Sequence, residues 1–228
     1  MKSKILKEAF LDTLPVLSGY MVLGIGFGIL LENAGYGVFW AFIMSLFIYA
    51  GSMQYAGVEL MISAAQLPVV ALTTLMVNAR HLFYGISMID KYKGAGAKKP
   101  YMIFALTDET YSLVCSKQYE NKKDAHRYFF YVSVMNQCYW VAGSVIGSLI
   151  GTALPFDTTG IEFSMTALFV TVFVEQWIST KKHLPAILGV LISAVCLLIF
   201  GKESFLIPAM VIIILMLVIL KGRCSENE

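Results

Sequence analysis

Charged residues are scarce in this chain of 228 residues: they make up 14% of the sequence, against about 25% in soluble domains. Hydrophobic residues make up 58%, and the mean hydropathy is +0.72. So few charges could not cover the surface of a soluble domain of this size. The composition predicts an all-α integral membrane protein. It excludes a soluble enzyme, a secreted disulfide scaffold, a disordered chain and a nucleic-acid binder.

Several catalytic and ligand-binding motifs are missing as well. The four cysteines form no CxxC pair and the chain has no HExxH sequence, so we predict no metal site. There is no P-loop for ATP and no carbonyl filter of the potassium-channel type. We therefore expect a protein that is not an enzyme and that uses no cofactor.

Apolar runs long enough to cross a hydrocarbon core of about 30 Å dominate the sequence. Five of them are simple, at residues 13–31, 68–89, 128–151, 184–200 and 204–221. Three others are not: residues 36–64 are too many for one span, residues 100–116 contain two acids, and residues 162–180 contain Glu175. We expect one transporter domain over residues 1–228, built as a bundle of about six to eight transmembrane helices.

The number of crossings depends on these three segments. Eight crossings follow if each one is a span. Six follow if residues 36–64 form a re-entrant hairpin with a broken helix near Gly51 and residues 100–116 do not cross. Both counts put four clusters of basic residues on the cytoplasmic side of the membrane, which predicts that both termini are cytoplasmic. The loop 90–99, with four lysines, lies outside in the first count and inside in the second.

A weak internal repeat relates residues 1–116 to residues 117–228. Glycine pairs with a spacing of four recur in the two halves, Gly24 with Gly28 and Gly147 with Gly151. Apolar sequences produce chance matches easily, so duplication and coincidence both stay open. A true repeat would place the substrate between the halves near mid-membrane. The glycines themselves predict close helix packing.

Polar residues in the segment 36–64 form one candidate site. On an unbroken helix, one face would carry five of them, namely Ser45, Tyr49, Ser52, Glu59 and Ser63. A polar face inside a membrane serves either interhelical hydrogen bonds or a substrate-lining surface. Gly51 favours the second role, because a local break would free backbone groups for a ligand.

The densest polar group lies in residues 77–85, within an otherwise apolar segment. Asn78, His81 and Tyr84 are spaced by three and share one helical face, and Arg80 lies beside it. An arginine this far from a helix end costs at least about 2.5 kcal/mol unless it is paired or hydrated. Arg80 therefore snorkels to the helix end, forms a structural ion pair, or binds a substrate carboxylate.

Four residues are candidates for carrying a coupling proton. Asp108 and Glu109 are the main intramembrane acids, and adjacent helical positions point about 100° apart, so one can pair with Arg80 while the other titrates. The alternative for both is a surface turn. His81 titrates near neutral pH, although a packing role is also open. Glu175 lies near the end of its segment, where an interfacial and a buried role are both open.

Residues 49–54 (YAGSMQ), 77–85 (VNARHLFYG) and 106–109 (LTDE), in this order and spacing, resemble the AzlC family. Residues 162–169 resemble a further pattern of that family, with glutamate instead of aspartate at the first position. The resemblance extends from Pro15 to about Phe200. Its N-A-R-H-x-x-Y element is specific, whereas its glycines are not.

This resemblance implies the large subunit of a bacterial two-component permease that exports branched-chain amino acids. It implies a small AzlD-like membrane subunit as partner, a branched-chain amino acid as substrate, and protons as the driving ion. It further implies a multi-pass protein of the bacterial cytoplasmic membrane, surrounded by the lipid bilayer.

We therefore expect a proton-coupled secondary transporter for small apolar amino acids. The alternative is a non-transporting scaffold or assembly subunit, whose intramembrane charges serve only to bind a partner. The expected substrate-binding residues are Tyr49, Gly51, Ser52, Gln54, Asn78, Arg80, His81 and Tyr84. The expected proton-coupling residues are Asp108, Glu109, His81 and Glu175.

Overall fold

The structure is a computed structural model that describes residues 2–153 and 183–205 without a break. It also describes scattered residues between 163 and 178 and between 208 and 216. All regular elements in these residues are helical, which confirms the all-α prediction. The contacts divide the chain into two compact units, residues 1–166 and 167–228.

Seven helices lie in the part of the first unit described without a break, residues 2–153. They are α1 (Lys2–Asn33), α2 (Val38–Phe47), α3 (Gly51–Ile62), α4 (Leu67–Met88), α5 (Lys99–Phe104), α6 (Asp108–Ser116) and α7 (Lys122–Ala153). One long helix followed by two short ones thus occurs twice before α7. A 3₁₀ turn, Gly96–Lys98, precedes α5.

The second unit contains α8 (Leu184–Ser204), which begins with a proline in its first turn and is interrupted at Gly201, where φ is 72°. Three helices among the described residues are long and apolar enough to cross a membrane on their own. They are Ser3–Asn33, Leu67–Met88 and Leu184–Gly201.

Helices α1 and α7 form the largest helix contact in the first unit, and glycines make it possible. A methyl group on Gly28 would overlap the carbonyl oxygen of Ser144 and lie 2.5 Å from the amide nitrogen of Ser148. One on Gly147 would lie 2.6 Å from the Cα atom of Ile25. The close packing expected from the glycine spacing is therefore confirmed.

The segment 36–64 is interrupted between α2 and α3. Tyr49 has a φ of 43°, a left-handed value that residues other than glycine rarely adopt. The helix therefore does not continue through Tyr49. Gly51 is the first residue of α3. Glycine fits there because a Cβ atom would lie 2.9 Å from the ring of Trp140. The broken helix predicted near Gly51 is confirmed.

This break changes the polar stripe expected for an unbroken helix. The five residues no longer share one face. Ser45 and Ser52 are buried, whereas Glu59 and Ser63 are exposed.

The segment 100–116 is interrupted as well, between α5 and α6. Thr107 caps α6, because its hydroxyl accepts a hydrogen bond from the amide of Thr110 at 3.3 Å. Asp108 and Glu109 occupy the first turn of α6, where the helix dipole favours carboxylates. The two acids thus lie at a helix start inside the bundle.

The two short helix pairs approach the bundle from opposite ends. Ala41 and Met44 of α2 pack with Leu30 and Leu31 near the end of α1. The helix α5 instead belongs, through Met102, to a cluster with residues at the beginning of α1 and α7, including Ile5, Ala9, Tyr128 and Phe129. Their interruptions meet between these ends.

The loop 90–99 lies at the same end as the start of α1. Tyr92 packs in the cluster that contains Ile5, and its ring lies 5.9 Å from that of Phe129 in α7. The backbone carbonyl of Lys91 lies 3.1 Å from Nε2 of His126. The start of α1, this loop and the start of α7 therefore share one end of the unit.

Candidate functional site

An ion pair joins α4 to the start of α6. Nη1 of Arg80 lies 2.7 Å from Oδ2 of Asp108, and the two side chains are 29% and 24% exposed. Residues 67–88 form a continuous helix across the unit, and the α5–α6 interruption brings the first residue of α6 to it. Of the roles open to Arg80, the structure gives it a paired position rather than a snorkelling one.

The same arginine also reaches the start of α3. Its Nη2 donates a hydrogen bond to the hydroxyl of Ser52 at 2.8 Å. The first turn of α3 contains no acidic residue and its N-terminus has no side-chain cap. Arg80 thus connects an electropositive helix start at α3 to an acidic helix start at α6.

Unpartnered polar atoms are concentrated around this pair. Nε of Arg80, Oδ1 of Asp108, Oδ1 of Asn78 and the hydroxyl of Tyr49 are buried and have no hydrogen-bond partner among the described residues. Buried polar groups are normally paired. A site that leaves both donors and acceptors free has the chemistry to bind a ligand with charges of both signs.

Glu109 faces a different environment from its neighbour. Its Oε2 atom accepts a hydrogen bond of 2.6 Å from the hydroxyl of Tyr20 on α1. That hydroxyl also lies 2.8 Å from the hydroxyl of Thr107. No cation lies within ion-pair distance of Glu109 in the part of the chain that the structure describes. The adjacent acids therefore have different partners: Asp108 pairs with an arginine, and Glu109 accepts a hydrogen bond from the hydroxyl of Tyr20.

The remaining predicted residues of α4 surround the pair. Nδ1 of His81 lies 3.2 Å from the backbone carbonyl of Asn78. The ring of His81 meets that of Tyr84 edge-on, with centroids 5.8 Å apart. Tyr84 stacks on Tyr111 of α6 at 4.5 Å, which ties the two helices together beside Asp108.

Two predicted residues have structural partners at the first interruption. The amide of Gln54 is fully buried: it donates to the hydroxyl of Ser45 at 3.2 Å and accepts from the indole nitrogen of Trp140 at 2.8 Å. Gly51 makes room for the same indole. These contacts fix the α2–α3 break against α7. Glu175, the other predicted acid, lies outside the described residues.

Sequence reasoning missed the contributions of α1 and α7. Tyr20 binds Glu109, and the side-chain amide of Asn136 donates to Thr110 at 3.0 Å. A signal existed in α7, because Asn136 and Gln137 are adjacent polar residues within an apolar run. No comparable signal marks Tyr20, since tyrosines are common in this sequence.

No cluster of metal-ligating side chains occurs in the ranges the structure describes. The charges at the interruptions are those of one arginine and two carboxylates. Such a set can bind a zwitterion and move a proton.

Comparison with known proteins finds one matching family and several similar membrane proteins. A family model described as "AzlC protein" matches residues 15–154. The "Branched-chain amino acid transport protein AzlC" of Bacillus subtilis (strain 168) is 42% identical over 222 residues, with 97% of this chain and 87% of that protein covered.

Other relatives are similar over most of their length. An uncharacterized membrane protein of Helicobacter pylori (strain ATCC 700392 / 26695) is 42% identical over 223 residues, with 96% of each chain covered. The "Inner membrane protein YgaZ" of Escherichia coli (strain K12) is 24% identical over 212 residues, with 90% of this chain and 84% of that protein covered. No solved structure is significantly similar to the chain.

Proposed function

The chain belongs to the AzlC family, and we propose that it exports branched-chain amino acids across the bacterial cytoplasmic membrane by proton-coupled secondary transport. The B. subtilis relative is named as a branched-chain amino acid transport protein, which supports the substrate class. The site supports a substrate that carries both a positive and a negative charge.

The observation that carries this proposal is the Arg80–Asp108 pair at the point where two interrupted helices meet. Each charge neutralises the other when no substrate is bound. A zwitterion that enters supplies one new partner for each, so the pair can separate without leaving an uncompensated charge in the membrane. Interrupted helices with exposed backbone groups are the usual substrate sites of secondary transporters.

The two ends of the amino acid have separate partners in this proposal. The substrate carboxylate binds Arg80 and the free amide groups in the first turn of α3, near Ser52. The ammonium group binds Asp108 and the free Oδ1 atom of Asn78. Tyr49, His81 and Tyr84 border this position.

Glu109 carries the coupling proton in this proposal. Asp108 already has a cation as partner, whereas Glu109 is bonded to the hydroxyl of Tyr20, which can pair with either protonation state of the acid. Tyr20 links Glu109 to α1, so a movement of α6 against α1 changes access to the proton site. Proton uptake and substrate movement are thus coupled through α6, which carries both acids.

We further propose six crossings with both termini in the cytoplasm. The six-crossing count requires the loop 90–99 on the same side as the start of α1 and the start of α7, and these three regions share one end of the first unit. The partner is a small AzlD-like subunit within the membrane. The apolar face of α4, which includes exposed Leu75, Leu82 and Ile86, is available to lipid or to that subunit.

The test is efflux of labelled leucine from preloaded cells that express the chain with and without the small subunit. We expect efflux against the leucine gradient, lost on collapse of the proton gradient and lost in Arg80→Gln. The control is Arg127→Gln, which breaks another arginine–aspartate pair, with Asp124 at 3.0 Å, away from the interruptions. Absence of efflux under both conditions, with normal membrane abundance, would support the scaffold alternative.

A further inference from the structure

A small cavity lies between α4 and α5, beside the candidate site. Its volume is about 120 Å³. Its walls are mostly apolar and consist of Gly85, Met88, Ile89, Tyr92, Ile103 and Leu106, with Lys99 as the charged lining residue.

The cavity is close to the residues proposed to bind the amino acid charges. Leu106 forms part of the α5–α6 interruption, two residues before Asp108, a separation of at most about 7 Å along the chain. Gly85 follows His81, which borders the proposed substrate position, by four residues, so it lies one turn further along the same face of α4. The cavity therefore lies next to the proposed substrate position, one helical turn away along α4.

The size and polarity of the cavity fit an aliphatic group. An apolar protein cavity of about 150 Å³ is known to stay dry and to bind benzene, a molecule of six carbons. A cavity of 120 Å³ is suited to a side chain of three or four carbons. Burying such a group is favourable, because its apolar surface leaves water.

We propose that this cavity holds the side chain of the transported amino acid and sets the upper limit of its size. This inference rests on the proposed function and adds to it a specificity pocket, formed by α4, α5 and the interruption. Charge recognition at Arg80 and Asp108 selects an amino acid of any kind, and the cavity selects the aliphatic ones.

Gly85 is the residue that allows this selection to be tested. A Cβ atom built on Gly85 meets no other heavy atom within 4 Å, so a larger residue there enters open space rather than backbone. Valine at this position would reduce the cavity, and its Cβ atom would meet no neighbour. Leu106, which is 4% exposed, provides the opposite change, because its truncation to alanine enlarges the same space.

The experiment measures efflux of labelled valine, leucine and phenylalanine from cells expressing the complete transporter. In Gly85→Val we expect leucine efflux to fall about tenfold relative to valine efflux, the discrimination typical of one methylene group. In Leu106→Ala we expect phenylalanine efflux to rise relative to leucine efflux. The control is Gly19→Val, an exposed position on α1 where the added Cβ also meets nothing within 4 Å.

Each result decides the matter. A change in the leucine-to-valine ratio in Gly85→Val but not in Gly19→Val supports the pocket. Equal losses for both substrates, or no loss, at normal membrane abundance would overturn it while leaving the proposed function intact. If Gly85→Val does not accumulate, the phenylalanine-to-leucine ratio of Leu106→Ala decides. If the wild-type protein exports none of the three, the proposed function fails and the pocket with it.

Discussion

The ring of Tyr49 lies 6.2 Å from the ring of Phe104, and this contact joins the two interrupted segments of the bundle. Tyr49 lies in the break between α2 and α3, and Phe104 is the last residue of α5. Since the two helix pairs approach from opposite ends, the contact holds both breaks at one level. It brings the starts of α3 and α6 to the same region of the protein.

The two helix starts differ in charge. The start of α6 is capped by Thr107 and carries two carboxylates, whereas the start of α3 has neither a side-chain cap nor an acid. Backbone amides at an uncapped helix start attract anions. The fold therefore places an anion-attracting and a cation-attracting element next to each other, with Arg80 between them.

The first prediction separates the stabilising role of the Arg80–Asp108 pair from its role in transport. Asp108→Asn leaves the arginine without its counter-charge, so we expect lower stability by about 1–3 kcal/mol and loss of leucine export. The double variant Arg80→Gln with Asp108→Asn removes both charges, so we expect stability to recover while export stays absent. Thermal unfolding in detergent and leucine efflux measure the two effects. Recovered export in the double variant would contradict a direct role in binding.

Local sequence was sufficient to predict the interruption near Gly51 and an acidic partner for Arg80, but not the interruption between α5 and α6. The break near Gly51 and the availability of one acid for Arg80 follow from glycine placement and helical periodicity, which act over a few residues. The loop 90–99 could not be assigned to a side in this way. Its position depends on contacts of Tyr92 with α1 and α7, which are far away in the sequence.

The partners of the acids were also beyond local reasoning. Glu109 and Tyr20 are separated by 89 positions, and nothing in the apolar sequence of α1 distinguishes Tyr20 before the helices are packed. Gln54 is one of the predicted substrate-binding residues, and in the structure its amide is hydrogen-bonded to Trp140 and Ser45. The hydrogen-bond partners of both residues are distant in the sequence, and a single sequence does not show which distant residues meet in the fold.

A second prediction concerns proton coupling. Glu109→Gln keeps a hydrogen-bonding side chain of the same size but cannot exchange a proton. We expect uphill leucine export to be lost and leucine exchange down its own gradient to remain. The control is Glu120→Gln, an exposed acid in the loop after α6. Uphill export with an unchanged pH profile in Glu109→Gln would assign the proton to another group.

A third prediction concerns the contact between α1 and α7. Gly28→Val forces a side chain into the backbone of Ser144 and Ser148, so we expect loss of the folded protein from the membrane. Gly19→Val makes the same chemical change on the same helix, where nothing lies within 4 Å. Membrane abundance of the two variants, measured by immunoblot, gives the comparison. Equal abundance would show that the glycine contact is dispensable.

The fourth prediction concerns the ionic cluster at the end that contains the start of α1. Nζ of Lys117 lies 2.6 Å from Oδ2 of Asp12 and 3.0 Å from Oε1 of Glu8. Partial burial acts to lower the pKa of Lys117, but the hydrogen bonds and charges of the two carboxylates outweigh it and raise that pKa. A raised pKa in the folded state means that this contribution to stability is present at neutral pH. It is lost as the pH rises through the raised value.

Thermal unfolding of wild type and Lys117→Met across alkaline pH tests this. We expect the wild type to be more stable by about 1 kcal/mol at pH 8, a typical value for a partly exposed pair. The difference should begin to fall near the ordinary lysine pKa of 10.5 and disappear above the raised pKa of the folded state. Lys122→Met, at the start of α7, is the control. A difference that does not depend on pH would exclude the ionic explanation.

The final prediction tests the six-crossing topology at two exposed positions. Gly94 itself is a poor site for a probe, because its φ of 85° is strained for any other residue, so we choose the adjacent exposed Lys93. In a background without the four native cysteines, Lys93→Cys should react with a membrane-impermeant maleimide only after the cells are opened. Asn33→Cys, exposed at the other end of α1, should react in intact cells.

The reason is that Lys93 lies in the loop that packs with the start of α1, whereas Asn33 is separated from that start by the length of a helix that can span the bilayer. Reaction of Lys93→Cys in intact cells would place this loop outside and favour eight crossings.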